Sequence, residues 1–195
     1  MRIGTKSILF GFHQCIFHPI TVAIGWTHLY GFPFDPRLWL AFFVHDLGYI
    51  GKKMMDDEIG ETHPELGAKI MSIFGPEWSD LVLLHSRFYS ERLGKPYSRL
   101  CYADKLSITL YPRWLWKVLV LASGEIYEYL NAVKYQRTDG WQDVNDLDGK
   151  YRSMTNYLWR WVHDQTGVPV GPPDGPGRPQ PVATSRDTGT GPDKP

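Results

Sequence analysis

Six residues carry side chains able to hold a divalent cation, at well-separated points of the chain: His18, the adjacent pair His45 and Asp46, His63, His85 and Asp104. Four imidazoles and two carboxylates suit a divalent ion such as Mn, Fe, Co, Ni, Zn or Mg. Their number exceeds what one ion takes, which favours two. The pair at 45 and 46 states the need most sharply. In "WLAFFVHDLGYIG", residues 39–51, Asp46 follows an almost unbroken apolar run, and a buried carboxylate is costly unless it is paired or bound to a metal. The C-terminal end of a helix is partially negative and favours a cation beside it. Neighbouring helical side chains point about 100° apart, so both residues reach one ion only if it sits beside the helix end.

Apart from the pair at 45 and 46, each candidate goes with a different predicted helix, His18 just ahead of its own, and helices packed around one centre can aim such residues inward. Pro19 opens a helix over 19–30, closed by Gly31 and Pro33. Asp35 is an N-cap with Pro36 at the first helical position, and that helix runs to Gly48. Thr62 and Glu65 have capping-box spacing, which predicts a helix through "THPELGAKIMSIF" to Gly75 and Pro76. Further helices are predicted over 77–88, from Ser98 to Tyr111, over 113–136 with an interruption at Ser123 and Gly124, and over 148–166. Strand signals are poor, so the fold class is all-α, a bundle of about six to eight helices.

The folded part is predicted to be residues 1–166, one domain. From Gly167 to Pro195 the chain is Pro, Gly and polar, with no aromatic residue. It offers too little apolar surface to offset its ordering entropy and reads as a disordered tail. Lys and Arg balance Asp and Glu at 21 each, so no global field attracts a nucleic-acid duplex, and any anion must be held by local bases. Two cysteines, Cys15 and Cys101, argue against a disulfide framework and a cysteine-built zinc site. No segment has the continuous apolar length of a membrane span or the pattern of a signal peptide, which makes a cytoplasmic location the expectation. "GTKS" at 4–7 lacks the glycine spacing of a phosphate loop. The aromatic series Trp114, Trp116, Tyr127, Tyr129 and Tyr135 reads as helix packing, and the abundance of aromatics leaves a homo-oligomer open.

Taken in order, "HPITVA", "FFVHDLG", "THPELGAKI", "LLHS" and "YADKLS" resemble the HD-domain superfamily of metal-dependent phosphohydrolases over residues 18–110. The resemblance implies an HD-type helical bundle. It implies that His18, His45, Asp46 and Asp104 are ligands, with Asp46 bridging if two metals bind, and that His63 and His85 are the extra histidines of binuclear members. "HPITVA" also favours His18 over His13 and His28 as the first ligand, so that His13, His28 and His163 read as structural. Many members read HDIGK, whereas Tyr49 stands here in place of that lysine.

The implied activity is hydrolysis of a phosphomonoester or phosphodiester, a nucleotide or related small phosphate ester. Two alternatives share the same ligand set: a diiron oxygenase, and a nucleotide-sensing domain without turnover. For hydrolysis, Asp46 is catalytic through the metal, and bases near the centre must hold phosphate. Arg87 and Lys105 are the leading candidates, one two residues after His85 and the other directly after Asp104; Lys52 and Lys53 follow the HD turn. The acids Asp56, Asp57 and Glu58 read as solvated surface.

Overall fold

A computed structural model describes residues 1–55, 57–127 and 146–169. Among them the secondary structure is entirely helical, with nine α-helices and no strand. These are α1 (Ile3–Phe10), α2 (Phe17–Tyr30), α3 (Pro36–Val44), α4 (Pro64–Met71), α5 (Pro76–Leu83), α6 (Arg87–Leu93), α7 (Arg99–Thr109), α8 (Arg113–Ser123) and α9 (Leu147–Thr166). Three single 3₁₀ turns punctuate them at Leu47–Tyr49, Gly60–Thr62 and Ser72–Phe74. The all-α reading holds. The tail expected from Gly167 lies outside the described residues from 170 onward, as do Tyr129, Tyr135 and the predicted helical stretch beyond 127.

Local chemistry sets most of the starts. Asp35 accepts from the Arg37 backbone N–H at 2.9 Å with Pro36 behind it. Ser98 accepts from Cys101 N–H at 3.3 Å, and Asp146 from Gly149 N–H at 2.7 Å. These side chains satisfy amides that a first helical turn leaves unpaired.

Three expectations are corrected, and one helix, α1, is additional to those expected. The capping box at Thr62 and Glu65 does not form: α4 starts after His63 without a side-chain cap, Thr62 Oγ1 donates to Ile59 O, and Glu65 accepts from Tyr89 OH. The helix expected to Gly48 stops at Val44, and the chain tightens into the turn at 47–49. The helix expected over 77–88 breaks after Leu83, and α6 starts anew at Arg87. Finally α1, which carries no side-chain cap, has no clear start signal to read.

The central pair is α2 against α7, closed by α3, α4 and α5 around a core that includes Val22, Trp26, Phe42, Met71, Val82 and Leu100. Gly25 permits that approach, since a Cβ there would lie 2.6 Å from the carbonyl oxygen of Ala103 on α7. Because the first turn of α2 carries His18 and α7 carries Asp104, this contact sets the distance between two candidate ligands. A second core, with Phe12, Trp116, Val120, Met154 and Leu158, packs α8 and α9 along the other side. Among the described residues, no helix is long and apolar enough to cross a membrane.

Candidate metal centre

The six residues singled out by type and spacing meet in one place, each at most 6 % exposed. His18 comes from the first turn of α2, His45 and Asp46 from the end of α3, His63 from the residue before α4, His85 from the break after α5, and Asp104 from the middle of α7.

Asp46 divides the set into two groups. Its Oδ2 lies 3.3 Å from His18 Nε2 and 3.2 Å from His45 Nε2, and Asp104 Oδ1 is 3.1 Å from His18 Nε2. Its Oδ1 lies 3.6 Å from His63 Nε2 and 3.4 Å from His85 Nε2, which are 3.3 Å apart. Donor atoms about 2.1 Å from a common ion lie about 3.0–3.4 Å apart at octahedral to tetrahedral angles. Most of these separations match such edges, so each group has the dimensions to surround a cation, with Asp46 shared.

The hydrogen bonds behind the rings fix which nitrogen faces inward. His45, His63 and His85 each place Nδ1 against the carbonyl oxygen three residues earlier: Phe42 O at 2.9 Å, Gly60 O at 3.0 Å and Val82 O at 2.5 Å. A carbonyl only accepts, so each Nδ1 holds its proton and donates, and in a neutral ring Nε2 presents a lone pair. The group of His63, His85 and Asp46 Oδ1 is then three acceptors facing one another with no proton between them. Asp46 Oδ2 and Asp104 Oδ1 are likewise buried without a hydrogen bond. A cation satisfies all of these atoms at once, which is why the residues fit a metal.

The electrostatics agree. Burial opposes ionisation of Asp46, but His45, His18 and His85 outweigh it and hold its carboxyl well below the usual carboxylate range. Burial likewise opposes ionisation of Asp104, and Lys105, His18 and His45 overcome it. Burial pushes His63 well below the ordinary imidazole value and lowers His85, keeping both rings neutral and ready to coordinate. For His45, burial pulls downward but Asp46 and Asp104 pull harder, raising it to about 10.

Convergence at the HD pair depends on where α3 stops. His45 keeps helical backbone angles, but Asp46 turns to φ −102° and ψ −2°, which opens the 3₁₀ turn. His45 and Asp46 nevertheless converge, with His45 Nε2 3.2 Å from Asp46 Oδ2. Gly48 lies so close to the His63 backbone that no Cβ could fit. Tyr49, in place of the expected lysine, stacks on the His63 ring with centroids 4.0 Å apart and planes 11° apart.

The candidate bases are arranged unevenly. Lys105 Nζ donates to Asp104 Oδ2 at 2.8 Å, so Asp104 turns one oxygen to the ligand group and the other to a cation. Arg87 does not share a helix with His85, as expected, but opens α6; its guanidinium donates to Tyr157 OH at 3.4 Å and lies 5.7 Å from the Trp161 ring centre. Lys52 donates to Thr62 Oγ1, steadying the turn before His63, and Lys53 is exposed. Asp57 accepts from Gly60 N–H at 2.6 Å within the same loop.

Among the histidines read as structural, His28 and His163 contact backbone oxygens of Pro169 and Val168 at the end of α9. His13 is different: it borders the centre. The only sequence signal was a histidine five residues before His18, which by itself does not separate a packed ring from a functional one. Set beside known proteins, the chain matches no family model, no curated protein and no solved structure; its described residues form a helical fold with a buried histidine and aspartate centre able to hold a metal, compatible with an HD-type site.

Proposed function

We propose that this chain is a metal-dependent phosphohydrolase of the HD type, acting in the cytoplasm on a phosphomonoester or phosphodiester, a nucleotide or related small ester. The observation that carries the reading is Asp46, whose two oxygens each face a separate ligand group. Divalent ions held by His18, His45, Asp46 and Asp104 and by Asp46, His63 and His85 would polarise phosphoryl oxygens and lower the pKa of a water.

The chain's own residues supply positioning and charge. The carbonyls of Phe42, Gly60 and Val82 lock three imidazoles in the tautomer that ligation requires. Burial lowers the Lys105 ammonium and Asp104 raises it, with a net upward result, so Lys105 stays charged beside the centre. Its side chain is 24 % exposed, which leaves its other donors free to meet a substrate phosphate. Arg87, steadied by Tyr157 and Trp161, supplies a second positive group near Lys105.

The test is a screen of phosphate esters with Mn, Co, Ni and Mg, with His45→Ala and Asp46→Ala as controls. Phosphate release lost in both variants is the expected result; release that survives both overturns the reading. A mixed-valent diiron signal without phosphate release would instead identify an oxygenase, and tight nucleotide binding without product a sensor. Loss of turnover or substrate affinity in Arg87→Ala and Lys105→Ala is expected, and unchanged kinetics would remove those two residues from the site.

A further inference from the structure

The turn that follows His45 and Asp46 also grips a third ligand. Gly48 lies against the backbone of His63 with no room for a Cβ between them. Tyr49, the next residue, lays its ring flat on the His63 imidazole, with centroids 4.0 Å apart and planes 11° apart. One turn thus holds His63 at its backbone and at the face of its ring.

Tyr49 is itself held from behind. It is buried and packs with Ile8 of α1 and with Met55. Gly4, also on α1, lies so close to the Tyr49 carbonyl oxygen that a Cβ would not fit there. The Tyr49 backbone is bonded on both sides, its N–H donating to Asp46 O at 3.0 Å and its carbonyl accepting from Lys52 N–H at 3.0 Å. The helix α1 holds no ligand, yet through Tyr49 it backs one.

His63 needs that backing. It stands just before α4, and its Nδ1–H donates to Gly60 O at 3.0 Å. That bond anchors one edge of the ring, while the outer torsion of a histidine is broad and leaves the ring free to rock. Rocking carries Nε2 away from the point it shares with His85 Nε2, 3.3 Å off, and Asp46 Oδ1, 3.6 Å off. A flat surface against the imidazole face resists it. All other aromatic neighbours of the ligand rings meet them at 40° or more, so among the described residues the parallel stack belongs to His63 alone.

We propose that Tyr49 is a positioning residue for the ion that Asp46, His63 and His85 would share: its ring fixes the plane of His63, so the affinity of that group for metal is set from the turn at Leu47–Tyr49, and the affinity of the group of His18, His45, Asp46 and Asp104 is not. The inference rests on the metal centre behind the phosphohydrolase reading and deepens it, giving a role to the residue that stands in the lysine's place.

The test is the affinity of the full chain for Mn, titrated against a competing chelator, in two backgrounds. Asp104→Asn keeps the group of His63 and His85; His85→Ala keeps that of His18 and His45. Tyr49→Leu, which fills much of the space without a flat face, should weaken binding about tenfold in the first background and leave the second unchanged. Tyr49→Phe, which keeps the flat face, should stay within about twofold of the parent in both. Unchanged affinity of Tyr49→Leu in the Asp104→Asn background, equal weakening in both backgrounds, or no recovery with Tyr49→Phe overturns the role of Tyr49 and leaves the metal centre standing. A wild type that binds no divalent ion overturns both. Should either background hold no ion, the same variants are read in the otherwise wild-type chain, where one of two ions should weaken; both weakening together, or neither, overturns the proposal. Should Tyr49→Leu fail to fold, Tyr49→Met, whose flexible side chain fills irregular space, takes its place with the same expected and overturning results.

Discussion

Replacing Asp46 by Asn separates a metal centre from a merely structural polar cluster, because only the first predicts a lost response to metal. Asn keeps the size of Asp and removes one charge. Its carbonyl can face His18 and His45, where Asp46 Oδ2 stands 3.3 and 3.2 Å away, while its NH₂ faces His63 and His85 from the position of Oδ1. Those two nitrogens present lone pairs, so the amide hydrogens supply in part what a cation would have supplied. Asp46 is also the main counter-charge of the buried His45 ring, and removing one partner of a buried ion pair is destabilising. The metal-free variant should therefore be less stable than metal-free wild type, by up to about 3–5 kcal/mol.

The response to metal should change as well. At a free metal concentration about a hundredfold above its dissociation constant, one site adds about 2.7 kcal/mol, which for a chain of this size is a rise of about 5–10 °C in Tm. Wild type should show that rise once or twice over with two ions bound, and Asp46→Asn should lose most of it because both groups share the missing charge. Asp104→Asn should spare the group of His63 and His85, and His85→Ala the group of His18 and His45, each leaving about one ion. Thermal melts with and without chelator, paired with elemental analysis, read all of this. An Asp46→Asn protein that keeps the wild-type metal content and Tm rise refutes the shared-carboxylate reasoning.

Two further outcomes follow from the same geometry. His45 in the metal-free protein is raised to about 10 from an ordinary value near 6.5, so its bound proton stabilises that state fully below about pH 6.5, and the contribution is lost as pH rises through about 10. Ligation needs Nε2 unprotonated, so metal loading at pH 7.5 should release a proton, and less as pH approaches 10; calorimetry in two buffers of different ionisation enthalpy reads it, and no release at pH 7.5 counts against this assignment. Gly25→Val should lower the unfolding free energy by about 1–3 kcal/mol and reduce metal content, because the new side chain meets Ala103 O and pushes His18 away from Asp104. An unchanged urea midpoint and metal content would show that this approach is not what spaces the two ligands.

What could be read in advance was chemistry that survives without geometry. An acid after an apolar run and histidines one to a helix are features of residue type and interval, and Asp46, His63 and His85 declare themselves on that basis. The caps at Asp35 and Ser98 were legible for the same reason, since each needs only a local amide. The misreadings lie where a distant partner outbids a local one. Glu65 could have closed a capping box but bonds Tyr89, 24 residues on, and Thr62 is held by Lys52. The breaks after Val44 and Leu83 have no glycine or proline to announce them, yet the centre is built at them: His45 and Asp46 follow the first, and His85 follows the second with its Nδ1 on Val82 O. His13 shows the limit most clearly. Its ring is backed by Glu125, more than a hundred residues away, and Gly11 clears the space for that carboxylate. Spacing exposes ligands that must converge on one point, but the partners that orient a side chain from behind can come from anywhere the fold brings a carboxylate, and only packing reveals them.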